Sequence, residues 1–93
     1  MRIPIIAGNW KMNNTIKEGL KLVDEIKNST LNENVEVVLC VPFVSLYEIK
    51  QALDKTQIKL GAQNMHWEEK GAYTGEISPL MLTEIGVDYC IIG

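Results

Sequence analysis

A chain of 93 residues with 46% hydrophobic and 23% charged residues and a formal net charge of −3 has the balance of an ordinary globular domain. That balance excludes collagen-like, disordered and membrane-embedded chains. The mild acidity argues against nucleic acid or an anionic membrane surface as partner, so any anionic ligand needs local positive groups.

Short apolar runs alternate with amphipathic stretches, the rhythm of a parallel βα sheet in one domain over residues 1–93. The first strand is expected over Ile3 to Gly8. Thr15 with Glu18 three places on forms a capping box, and Ile16, Leu20, Val23 and Ile26 then recur at helical spacing. Val35 to Val41 reads as a second strand ended by Pro42. Ser45 with Glu48 reads as a second capping box, opening a helix whose buried stripe is Leu46, Ile49 and Leu53. Ile58 to Ala62 is a third strand, interrupted by Lys59. Ser78-Pro79 starts a short helix that Gly86 closes, and Tyr89 to Ile92 is a fourth strand.

Cys40 and Cys90 lie inside apolar runs and are expected as buried free thiols in a reducing compartment, not as a disulfide. The N-terminal apolar stretch is too short for a signal peptide and ends in charge. No run approaches the ~20 apolar residues of a membrane helix, so a cytoplasmic protein is the expectation.

Functional side chains of parallel βα units gather at the carboxyl ends of strands. Alternation puts Ile5, Ala7 and Asn9 on one side of the first strand, with Asn9 outermost and Lys11 just beyond it. An amide donor and an ammonium together suit an anion. A surface lysine beside a turn-forming asparagine is the plainer alternative. The long connection from Gln63 to Ser78 is either a tip that touches another molecule or an excursion packed on its own chain. His66, the single histidine, reads as a surface or packing residue, and Trp10, Trp67 and Tyr73 read as core or interface packing. No metal-ligand spacing, phosphate-binding glycine loop or nucleophile elbow is present.

Five stretches in register resemble the triosephosphate isomerase family. They are Ala7-Gly8-Asn9-Trp10-Lys11-Met12-Asn13, Cys40-Val41-Pro42-Phe43, Gly61-Ala62-Gln63-Asn64, Gly71 through Ser78, and Tyr89-Cys90-Ile91-Ile92-Gly93. The resemblance implies an α/β fold, the eight-stranded βα (TIM) barrel, with this chain covering about its first half: four parallel strands and three intervening helices. It implies interconversion of dihydroxyacetone phosphate and glyceraldehyde 3-phosphate through an enediolate, with no cofactor and no metal. Asn9 and Lys11 become catalytic, substrate-contacting residues. Thr74, Tyr73, Gln63, Met12 and Trp10 become residues of a homodimer interface, with Thr74 reaching toward the partner's site. The family's catalytic histidine opens a His-Ser-Glu-Arg-Arg stretch expected just after Gly93, and its glutamate base and phosphate-binding loops come later still. The 93 residues alone are therefore expected to be inactive. The alternative is a non-catalytic βα module that associates with copies of itself.

Overall fold

A computed structural model describes residues 2–29 and 32–93. Its elements run β1 (Ile5–Asn9), α1 (Ile16–Lys27), β2 (Glu36–Val41), α2 (Phe43–Ala52), β3 (Lys59–Ala62), α3 (Pro79–Ile85) and β4 (Tyr89–Cys90). The four strands form one parallel sheet in the order β1-β2-β3-β4, each joined to the next through a helix, as expected for the first half of a βα barrel. The order follows from the crossover rule, since a parallel neighbour can be reached only by passing over a face of the sheet.

The strand bounds shift for identifiable reasons. β1 starts at Ile5 because Pro4 has no N–H to contribute to a ladder, although its carbonyl accepts from the Glu36 N–H at 2.8 Å. β4 stops at Cys90, short of the expected Ile92, because β3 ends at Ala62 and leaves it no further partner. The Ile91 N–H still donates to the Ala62 carbonyl at 2.9 Å.

The Thr15–Glu18 capping box forms with both of its bonds, at 2.9 and 3.2 Å. The buried line of α1 runs through Gly19, Val23 and the partly buried Ile26, while Ile16 and Leu20 are more than a third exposed. Gly19 explains the rotation of that line: a Cβ there would lie 2.8 Å from the Trp10 ring, and its absence lets the helix settle with this edge inward.

The second capping box does not form. α2 begins at Phe43, two residues before Ser45, with Pro42 as a cap that supplies no side-chain bond. Pro42 holds the extended backbone that turns β2 directly into the helix. Seating Leu46 and Ile49 in the core then carries Ser45 in with them, and its hydroxyl is buried without a partner. The expected stripe of Leu46, Ile49 and Leu53 is buried throughout. α3 starts and stops as expected, with the Ser78 hydroxyl accepting from Met81 N–H at 3.3 Å and Gly86 left-handed at the C-cap.

By register, Leu39, Val41, Leu60 and Ala62 share the face on which the helices pack, and with Val23, Leu46 and Ile49 they form the core. Ile5, Ala7, Asn9, Val38, Cys40, Gly61 and Tyr89 share the other face. On that face Tyr89 reaches across β3 to donate its hydroxyl to the Glu36 carboxylate. Gly61, with no side chain, leaves room for Cys40: a Cβ there would lie 2.6 Å from the Cys40 sulfur.

Candidate functional site

Asn9 is the last residue of β1, paired with Cys40, on the face opposite the helices. Its side-chain oxygen accepts from the Lys11 N–H at 2.9 Å. That bond orients the amide, so the Asn9 NH₂ group is left free to donate outward. Lys11 itself has a φ of +55°. For a residue with a Cβ the left-handed region costs about 1–2 kcal/mol, so surrounding contacts must hold it there.

Those contacts come from three directions. Trp10 N–H donates to the Cys40 carbonyl at 3.0 Å, extending the β1–β2 ladder by one residue. The Asn13 amide donates to the Trp10 carbonyl at 2.9 Å, and Asn14 takes a second left-handed conformation at φ +73°. From β3, the Gln63 amide donates to the Lys11 carbonyl at 2.9 Å and to the Cys40 carbonyl at 3.1 Å. Below this turn the Trp10 ring is buried against Gly19 and Ile49. The turn rests on the core, while Asn9 and Lys11 stay exposed.

The other expected site residues divide into two groups. Met12, 95% exposed, and Thr74, also exposed, present themselves to solvent. Trp10 does not: it belongs to the core of its own chain, where it supports the Lys11 turn. Gln63 is half-buried and its amide donors are engaged inside the chain. In the long connection the excursion packed on its own chain is realised at its base, and the tip is exposed. The His66 ring lies between Trp67 and Tyr73, with centroids at 4.4 and 4.3 Å, and its backbone N–H donates to the Ile77 carbonyl at 2.7 Å. His66 is thus a packing residue, and its Nε2 is buried without a partner. Beyond that stack the tip closes in a turn from Tyr73 to Glu76, N–H to carbonyl 3.0 Å, with Gly75 at φ +88° and Thr74 projecting.

Sequence reasoning missed Asn13, the inward role of Gln63 and the left-handed backbone at Lys11 and Asn14. Asn13-Asn14, between the end of the first strand and the Thr15 cap, is a signal for a left-handed turn, realised at Asn14, and could have been read as one. The Gln63 contact spans 52 residues and left no local trace.

An open apolar hollow of about 690 Å³, lined by Gln63, Met65, Trp67, Ile91 and Ile92, lies at the carboxyl ends of β3 and β4. Cys40 is buried as expected, whereas Cys90 is only half-buried, and both are free. Burial, and then the neighbouring Cys90, pushes the Cys40 thiol above its ordinary pKa; burial does the same for Cys90. Hydrogen bonding to Glu36 is the main cause that raises the Tyr89 phenol. Among the described residues no group of three or more His, Cys, Asp or Glu is placed to hold a metal ion, and no helix is long and apolar enough to cross a membrane.

A parallel sheet whose strands follow chain order, each joined to the next through a helix, is the architecture of a βα barrel, a fold in which functional groups gather at the carboxyl ends of the strands, where Asn9 and Lys11 lie. Comparison with known proteins specifies the barrel. The family model described as triosephosphate isomerase matches residues 4–93. Proteins named triosephosphate isomerase from Alkaliphilus metalliredigens, Thermoanaerobacter sp. strain X514 and Clostridium perfringens are 61%, 60% and 58% identical over all 93 residues. The chain belongs to the triosephosphate isomerase family. It spans 38% of the length of these relatives.

Proposed function

We propose that residues 1–93 supply the anion-binding corner of a triosephosphate isomerase site, with Asn9 and Lys11 contacting a small sugar phosphate. The observation that carries this reading is the Asn9 side-chain bond to the Lys11 N–H at 2.9 Å, which places an oriented amide and a lysine in a left-handed turn at the strand's carboxyl end. The Lys11 ammonium offsets the negative charge of the phosphate and of the enediolate oxygen as that charge develops. A donor fixed in place before the reaction loses nothing to reorganisation when charge appears. Proton abstraction and return belong to the histidine and glutamate that the family places outside these residues, and the reaction takes no cofactor. Residues 1–93 alone therefore bind and polarise but do not turn over.

The wider reading is a cytoplasmic homodimer acting in glycolysis and gluconeogenesis. Two free thiols and 61% identity to a relative with the isomerase name support the cellular setting. The projecting Thr74 turn and the exposed Met12 support a subunit contact near the site. The test is a complete barrel made by joining residues 1–93 to the remainder of the Alkaliphilus metalliredigens relative. It is assayed for conversion of dihydroxyacetone phosphate to glyceraldehyde 3-phosphate. Lys11→Met is expected to lower kcat/KM by about 10²–10³, the scale of losing one preorganised donor. Full activity in that variant would refute the role given to Lys11.

A further inference from the structure

We propose that Gln63 is a positioning residue for Lys11: its side-chain amide, sent from the end of β3, holds the Lys11 backbone in the conformation from which the ammonium meets the substrate. The inference rests on the reading of Lys11 as a substrate-contacting residue.

The chemistry of the tether is specific. A primary amide carries two N–H donors on one nitrogen, and Gln63 directs both at carbonyls of other strands' ends: Lys11 at 2.9 Å and Cys40 at 3.1 Å. The Cys40 carbonyl also accepts from Trp10 N–H at 3.0 Å, so a single oxygen joins the exits of β1 and β3. Lys11 needs such a hold because its φ of +55° is disfavoured for any residue with a Cβ. The Asn9 bond fixes the N–H side of Lys11 and the Gln63 bond fixes its carbonyl side, so both flanking peptide planes are set. Without the second bond the plane after Lys11 is free to turn, and the side chain leaves its aim. The nearest substitutes lose the tether: asparagine is one methylene short, glutamate has no donor to offer a carbonyl, and methionine keeps the length but no hydrogen bond.

The same complete barrel gives the test. Gln63→Met is expected to lower kcat/KM ten- to a hundredfold, chiefly through kcat, the scale on which a displacement near 1 Å acts. Combined with Lys11→Met, it is expected to add less than twofold, because a residue that acts only through Lys11 has nothing left to position. A crystal structure of Gln63→Met should show Lys11 out of the left-handed region. Should Gln63→Met fail to fold, Gln63→Asn takes its place with the same expectations. Wild-type activity in the single variant overturns the proposal. So does an equal loss in the presence and absence of Lys11, which would make Gln63 a purely structural residue. Full activity in Lys11→Met alone instead overturns the functional reading, and the position of Lys11 in the crystal then still decides whether Gln63 sets its backbone.

Discussion

Trp10 and Gly19 occupy a space that no β-carbon can enter: one built on Gly19 would sit 2.8 Å from the indole Cζ3 and 3.4 Å from Ile49 Cδ1. The indole is a buried, rigid ring whose own residue adjoins Lys11, so it cannot yield without disturbing the turn. Gly19→Ala is therefore expected to destabilise despite replacing the poorer helix former. Overpacking costs about 1–3 kcal/mol and the gain in helix propensity returns about 1. The net loss, up to about 2 kcal/mol, lowers the Tm of a complete barrel by up to roughly 8 °C. A Tm that rises would mean the ring gives way freely, and the support assigned to Trp10 would fall with it.

Ser45 tests the opposite case, a polar atom whose removal should help. Its hydroxyl is fully buried with no partner, where an unsatisfied group costs about 1–3 kcal/mol. Ser45→Ala deletes that atom, keeps the backbone bond to Pro42 at 2.9 Å and installs a better helix former. Denaturant unfolding should show stability unchanged or raised by up to about 1 kcal/mol. A loss larger than that would identify a hydrogen bond to the hydroxyl.

These two residues also mark how far the sequence alone was legible. The strand and helix order, the Thr15 cap and the Ser78-Pro79 start were readable because each is written in three or four adjacent residues. Ser45-x-x-Glu48 has the same local spelling as Thr15-x-x-Glu18, yet only the latter forms a cap. The difference is tertiary: the core claims Leu46 and Ile49, and Pro42 starts the helix before Ser45 can cap it. Asn9 and Lys11 were readable as candidates from their place after a strand. The bonds that orient them were not, because the Gln63 tether closes only once β1, β2 and β3 are side by side.

The Thr74 turn offers a test of the proposed subunit contact. Gly75 sits at φ +88° with nothing within 4 Å of where a Cβ would lie, so the cost of Gly75→Ala is conformational and not steric. That cost is about 1–2 kcal/mol for placing an L-residue in the left-handed region. If the tip must be preformed to dock, dimer dissociation constants measured by sedimentation should rise about five- to thirtyfold. Gly75→Asn should lie between the two, since asparagine tolerates positive φ. An unaltered dissociation constant in Gly75→Ala would remove this turn from the interface.

Alkaline pH should weaken the fold, and the sign follows from the direction of the shifts. Cys40 and Cys90 are raised by burial above an ordinary value of about 9, and Tyr89 by its bond to Glu36 above about 10. A raised pKa means that the folded chain releases its proton later than the unfolded chain does. Below pH 9 all three groups are protonated in both states and their contribution is intact. As pH climbs past 9 the unfolded chain loses thiol protons first, and past 10 it loses the phenol proton, so each step favours unfolding. Stability should therefore be level to about pH 9 and fall above it. Tyr89→Phe should flatten the part of the decline above pH 10 and leave the thiol part in place, because it removes the phenol and nothing that titrates near 9. Urea unfolding at half-unit steps from pH 8 to 11 would read both limbs. A decline in Tyr89→Phe identical to that of the parent would show that the Tyr89–Glu36 bond contributes nothing to folding in alkali.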